Sequence, residues 1–183
     1  ELSAEGFYNT QSDAEAALGG IYGKMTETFS GYYKWTYSVW SDMRADNTHA
    51  GAVADFINAQ LHMSRASSNE PHPYAWNENF KFIGEANSII DNVPGIDDPD
   101  FSEAEKNAIM GQAYFIRGFC YFQLARVFGG VPVQLSNNDS EIFKAKSTQA
   151  EVYAQVEKDM LLAESLLPKE HSSNFKTRAR GTK

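Results

Sequence analysis

The stretch Gly111–Val133, GQAYFIRGFCYFQLARVFGGVPV, constrains the fold more than any other part of the chain. It is the longest uninterrupted apolar-rich run, and it ends on Gly129, Gly130 and Pro132, residue types that stop a helix. Upstream, Ser102 and Glu105 have capping-box spacing, which starts a helix at about Glu103. Running to Phe128, that helix is roughly 39 Å long at 1.5 Å per residue. Winding it at about 100° per residue gathers Gln112, Gln123 and Arg126 on one narrow polar stripe, with nearly everything else apolar. A helix so apolar around its circumference is packed on several sides. Arg117 and Arg126 within it speak against a membrane span.

The other segments read as further helices. Ser12 and Glu15 have capping-box spacing, and Ala14, Ala17, Leu18, Ile21, Met25 and Phe29 follow at helical intervals, predicting a helix over about 13–29. Gly31 breaks it, and the aromatic-rich residues 32–43 form a second. Residues 44–73 hold no sustained period and read as irregular, although Ala54 to Met63 could make a short helix. Pro73 opens a helix over about 74–92, with Trp76, Phe80, Ile83, Asn87 and Ile90 along one face. Asp97 to Asp100 make a turn before the long helix of 103–128, and residues 133–147 are irregular. Thr148 and Glu151 form another capping box, opening a helix over 149–167 with Val152, Val156, Met160, Ala163 and Leu167 inward. No strand pattern competes. The fold class is all-α, with antiparallel helix pairs stacked like an α-solenoid and joined by long irregular loops.

Composition removes several function classes. The chain has 183 residues and is 42% hydrophobic, enough for one domain with a real core. A formal charge of -8 argues against nucleic acid or an anionic membrane as partner, since both reward clustered Lys and Arg. There is no Walker-type loop or dinucleotide fingerprint, so no cofactor is implied. His49, His62, His72 and His171 lie too far apart for a local metal motif. No pair of acids stands out as the two carboxylates a glycosidase needs. Cys120 sits mid-helix on a packed side and reads as a buried thiol.

Two arginine and aromatic features remain. On the helical wheel Arg117 lies roughly 140° from Gln112, among Met110, Ala113, Tyr121, Leu124 and Phe128. Its guanidinium stays charged and must find acceptors, which makes Arg117 a structural residue rather than a ligand contact. The acceptors are a carboxylate or several backbone carbonyls from a neighbouring helix or helix end; Asp159 and Asp91, on the flanking helices, are the candidate acids, with Tyr121 or Phe128 packing the stem. Aromatics make up 13% of the chain, a content that suits carbohydrate binding and that helix packing explains equally well. Asp42, Arg44, Asp46, Asn47, His49 and Phe56 bring together the residue types that hold sugars: acids, amides, cations and aromatic faces.

The signature from the alanine-aromatic step through Arg117, the aromatic run and Phe128-Gly129-Gly130-Val131-Pro132 resembles that of the SusD/RagB family, the nutrient-binding lipoproteins of the Bacteroidetes surface. Gly118 stands where that family usually has alanine, and Gly130 where aspartate is common. The opening Phe7-Tyr8-Asn9-Thr10 with Ala17–Tyr22, the helix of Trp76, Phe80, Ile83, Asn87 and Ile90, and the helix of Val152 to Pro168 are similar to three further landmarks, in the same order. The resemblance implies tetratricopeptide-like helix pairs and a core role for Trp76. It implies a non-enzymatic, outer-membrane, surface-exposed lipoprotein that binds an oligosaccharide or related nutrient and delivers it to a TonB-dependent transporter of the SusC type. Glycan contacts would come partly from the 37–56 region and partly from beyond Lys183. Family members are longer and lipidated at an N-terminal cysteine. Residues 1–183 therefore read as an N-terminal portion of such a protein, lacking the lipid anchor and the C-terminal remainder. The alternative function is a helical-repeat module that binds another polypeptide.

Overall fold

Helix ends are where the sequence acts most locally. The computed structural model describes residues 7–26, 49, 51, 57, 71–137 and 144–170. Among them are four α-helices and no strand: α1 (Gln11–Thr26), α2 (Pro71–Asn92), α3 (Glu103–Phe128) and α4 (Gln149–Leu166), with a 3-10 turn at Val93–Gly95. Complete capping boxes open α3 at Ser102 and Glu105 and α4 at Thr148 and Glu151. No described helix is long and apolar enough to cross a membrane.

α1 starts two residues before the expected position. Thr10, not Ser12, caps it: Thr10 Oγ1 accepts from the Asp13 N–H at 3.3 Å, and Asp13 Oδ2 accepts from the Thr10 N–H at 2.9 Å. The cause is partly distant. Asp98 Oδ2 accepts from the Gln11 N–H at 2.9 Å, satisfying a first-turn donor from 87 residues away. Glu15 instead accepts from Gln11 Nε2. α2 also starts early, at Pro71, so residues 71–73 are helical and not part of an irregular segment. Both Pro71 and Pro73 fall in the first turn, where no intrahelical N–H bond is lost. Ile57 is helical too. The expected helix at 32–43, the end of the first helix at 27–29 and most of 44–70 lie outside the described residues.

The chain divides into two compact units, Glu1–Ile21 with Lys81–Lys183, and Tyr22–Phe80. In the second, Ala75 and Asn79 are buried, and Asn79 Nδ2 donates to the Ala75 carbonyl at 2.8 Å. The first holds the long helix. Burial along α2 follows Ala75, Asn79, Phe82, Ala86 and Ile89, a line one residue behind the expected face. Ile83 and Asn87 are buried beside it, while Trp76, Phe80 and Ile90 are half-buried. The Phe82 ring is fully buried on that line, while the rings of Trp76 and Phe80 sit at its edge. The polar stripe of α3 is also displaced from solvent. Gln112 and Gln123 are 2% and 3% exposed, and only Arg126 of the three is outside. Gln112 tolerates burial because its Nε2 donates to the Ala108 carbonyl one turn back, at 3.1 Å; its Oε1 has no partner.

α3 and α4 run antiparallel at close range. A β-carbon on Gly111 would lie 3.0 Å from Leu167 Cγ, and one on Gly118 would lie 3.1 Å from Asp159 Cβ. One heptad further, the Ala125 carbonyl accepts from Gln149 Nε2 at 2.8 Å. Small residues at 111, 118 and 125 therefore form the stripe on which α4 rests. α3 ends at Gly129, whose φ of 73° suits glycine and whose N–H donates to the Ala125 carbonyl. The chain then returns so tightly that a β-carbon on Gly130 would collide with the Ser147 carbonyl oxygen. Residues 131–136 and 144–148 carry neither helix nor strand.

Two outcomes are expected. Gly118→Ala lowers stability by about 1–3 kcal/mol in urea melts, because Asp159 cannot retreat, whereas Gly19→Ala, with open space around it, raises it by roughly 0.5–1 kcal/mol. The second concerns acid. Hydrogen bonds from Thr10 to Asp13, from Ser102 to Glu105 and from Thr148 to Glu151 hold all three carboxyls below their usual range. Depressed folded pKa values contribute stability that is present above the unfolded carboxylate range and lost as pH falls through the folded values. The combined Asp13→Asn, Glu105→Gln, Glu151→Gln protein should show a flatter fall in melting temperature across that acid range than the parent.

Candidate functional site

The signature stretch builds its most elaborate chemistry inside the protein. Arg117 projects from the middle of α3 and is 4% exposed. Its Nε donates to Asp159 Oδ2 at 2.9 Å and its Nη2 to Asp159 Oδ1 at 2.7 Å, a bidentate fork against α4. Nη1 donates to Asn87 Oδ1 at 2.9 Å and to the Leu135 carbonyl at 3.0 Å. Asp159 is 0% exposed and receives a further bond from Gln155 Nε2, one turn earlier on α4. The guanidinium lies over the Tyr114 ring, 5.2 Å from its centroid. One cation thus joins α2, α3, α4 and the segment after α3.

A second set of bonds fixes that segment. Tyr121 Oη donates to the Gln134 carbonyl at 2.8 Å and accepts from the Gln134 N–H at 2.7 Å. Asn87 Nδ2 donates to the same carbonyl at 3.2 Å. Asp91 accepts from Ser136 Oγ and from the Asn137 N–H, at 2.8 and 3.1 Å. Asn137 Nδ2 donates to the Gly84 carbonyl and to Ser88 Oγ. Of the two acids considered for Arg117, Asp159 is the partner and Asp91 belongs to this strap. The guanidinium, by contrast, lies over Tyr114, a ring not among those expected near Arg117. The Leu135 carbonyl is an acceptor of the expected backbone kind, whereas Tyr114 and Asn87 were missed as Arg117 contacts. A buried asparagine on the helix before a buried arginine was the available signal for one of them.

Burial pushes the Tyr121 phenol and the Cys120 thiol up, so both are protonated near neutral pH. Burial, with the nearby Glu85 carboxylate, raises Tyr8 to about 12. Among the described residues, no three His, Cys, Asp or Glu side chains could hold a metal ion.

The predicted ligand residues fall elsewhere. His49 is exposed and lies in neither helix nor strand. Asp42, Arg44, Asp46, Asn47 and Phe56 lie outside the described residues. Trp76 is half-buried on α2, with its ring 4.8 Å from that of Phe80 at an angle of 44°. From the Arg117 geometry, Arg117→Ala should cost about 3–5 kcal/mol by stranding Asp159 in the core. Arg117→Lys should recover little of it, because an ammonium cannot fill both carboxylate oxygens and the Asn87 and Leu135 acceptors together. Chemical denaturation of the three proteins measures both effects.

The sequence matches a family described as "Starch-binding associating with outer membrane", the SusD-like family, over residues 3–182. It is 31% identical over 173 residues to SusD-like protein P2 of Formosa agariphila, covering 91% of this chain and 33% of that protein. Among solved structures, it is similar to a SusD superfamily protein from Bacteroides vulgatus with a TM-score of 0.80 and 26% identity, covering 96% of this chain and 37% of the other. A SusD superfamily protein from Bacteroides thetaiotaomicron gives a TM-score of 0.73 and 28% identity, over 89% and 38% of the two chains. The chain spans about a third of the length of these relatives. With the family matched across nearly the whole sequence and the helical fold shared with solved members, the chain belongs to the SusD-like family.

Proposed function

We propose that the protein captures an oligosaccharide or related glycan nutrient at the outer-membrane surface, without catalysing a reaction on it. In this reading it is a surface-exposed lipoprotein and passes its ligand to a TonB-dependent transporter of the SusC type. The observation that carries the reading is the family match over residues 3–182, to proteins described as starch-binding and associated with the outer membrane. The recognition residues proposed are Asp42, Arg44, Asp46, Asn47, His49 and Phe56. Carboxylates, amide and imidazole groups bond sugar hydroxyls in two directions, and an aromatic face covers the C–H surface of the ring. Arg117 and Trp76 are proposed to serve the scaffold. For Arg117 the support is its burial and its hydrogen bonds to Asp159, Asn87 and the Leu135 carbonyl.

A glycan array on the protein, followed by calorimetric titration of the best ligand, tests this. Replacing Asp46, Asn47 and His49 together by alanine should weaken binding at least about tenfold, since losing hydrogen bonds of about 1 kcal/mol each soon reaches 1.4 kcal/mol. The melting temperature should not change. Full affinity in the triple variant would move the site elsewhere. Failure of any glycan to bind, with a polypeptide partner captured instead, would favour the helical-repeat interaction module.

A further inference from the structure

Residues 134–137 lie across the Arg117 site, and the two ends of this short span are fastened differently. At the inner end the Leu135 carbonyl points in and accepts from Arg117 Nη1, while the Leu135 side chain is 39% exposed. The backbone at Leu135 therefore lies between the guanidinium and solvent, covering a cation that is only 4% exposed. Beside it, the buried Tyr121 bonds both the N–H and the carbonyl of Gln134. At the outer end the fastenings face water. Asn137 is exposed, and its side chain donates to the Gly84 carbonyl and to Ser88 Oγ on α2, at 2.8 and 2.7 Å. Its N–H and the Ser136 hydroxyl donate to Asp91 on the same helix. Water competes for the outer bonds, whereas breaking the inner ones strands buried polar groups. The outer end is thus the one that opens at lower cost.

We propose that the fastening of Ser136 and Asn137 to α2 is a latch that controls water access to the Arg117–Asp159 pair. With the latch closed, Leu135 keeps its carbonyl on Nη1 and solvent is shut out. With it open, residues 135–137 lift, the Leu135 acceptor leaves Nη1, and water takes its place beside the bidentate pair. The pair then loosens, because the attraction between its charges is strong only in dry surroundings. Asp159 belongs to α4, so the grip of α3 on α4 weakens in turn. Asn137 thereby sets how firmly α4 is held, although its own bonds run to α2. The device is independent of glycan binding.

Hydrogen exchange of the Arg117 side-chain Nε–H, followed by NMR on isotope-labelled protein, tests the latch, since that proton sits in the 2.9 Å bond to Asp159 Oδ2. Asn137→Ala removes two latch bonds at an exposed position, where the fold tolerates the change. The Nε–H should then exchange at least about fivefold faster than in the parent, after scaling to the slowest backbone amides of α3, because losing surface hydrogen bonds eases local opening. Adding Asp91→Ala should raise the rate further. Exchange at Arg117 that changes only in step with the slowest amides overturns the proposal, since water then reaches the pair only through global unfolding. A faster Gln134 amide with an unchanged Arg117 Nε–H overturns it as well, since the strap then opens without wetting the pair.

Discussion

Burying Arg117 sets the terms for everything around it. A guanidinium cannot shed its proton, so a site that excludes water must supply acceptors in the plane of the fork. Here they come from three directions: Asp159 on α4, Asn87 on α2 and the Leu135 carbonyl. None of these elements can shift far without breaking a charged bond in a dry environment. An ion pair of this kind does not guarantee high stability, because desolvation offsets much of the attraction. What it supplies is position. α4 is fixed in register against α3, and residues 134–137 are fixed against both α2 and α3.

The glycines of the signature serve the same geometry. Gly118 and Gly130, like Gly111, lie where the returning chain comes too close for a β-carbon to fit without a shift. At Gly118 the neighbour is Asp159 itself, so absence of a side chain lets the carboxylate sit deep enough for the fork. At Gly130 the neighbour is the Ser147 carbonyl, just before the cap of α4. Both glycines thus make room for the placement of α4.

How much of this could be read beforehand depended on how local each interaction is. The boxes at Ser102 and Thr148 were legible because every partner lies within three residues. The start of α1 was not, because Asp98 contributes from a distant turn and shifts the cap to Thr10. On α2 the large rings of Trp76 and Phe80 suggested a face one residue ahead of the true one, since ring size predicts burial less well than fit. Gln112 and Gln123 formed a polar stripe in the sequence, and their burial was not legible because the sequence does not reveal what packs on that side of α3. The need of Arg117 for an acid was legible from charge and periodicity alone. The residues proposed to touch a ligand rest on residue type and resemblance, which say what chemistry is present and not how it is arranged.

The claim that Arg117 and Asp159 act as one unit is tested most directly by a double-mutant cycle with near-isosteric apolar partners, Arg117→Met and Asp159→Leu, measured by urea denaturation. The account predicts strong coupling: the double variant should be more stable than the sum of the two single losses implies, by at least about 2 kcal/mol, because removing both charges leaves none stranded. Losses that add to within about 0.5 kcal/mol would show that the two side chains act independently, and would contradict it.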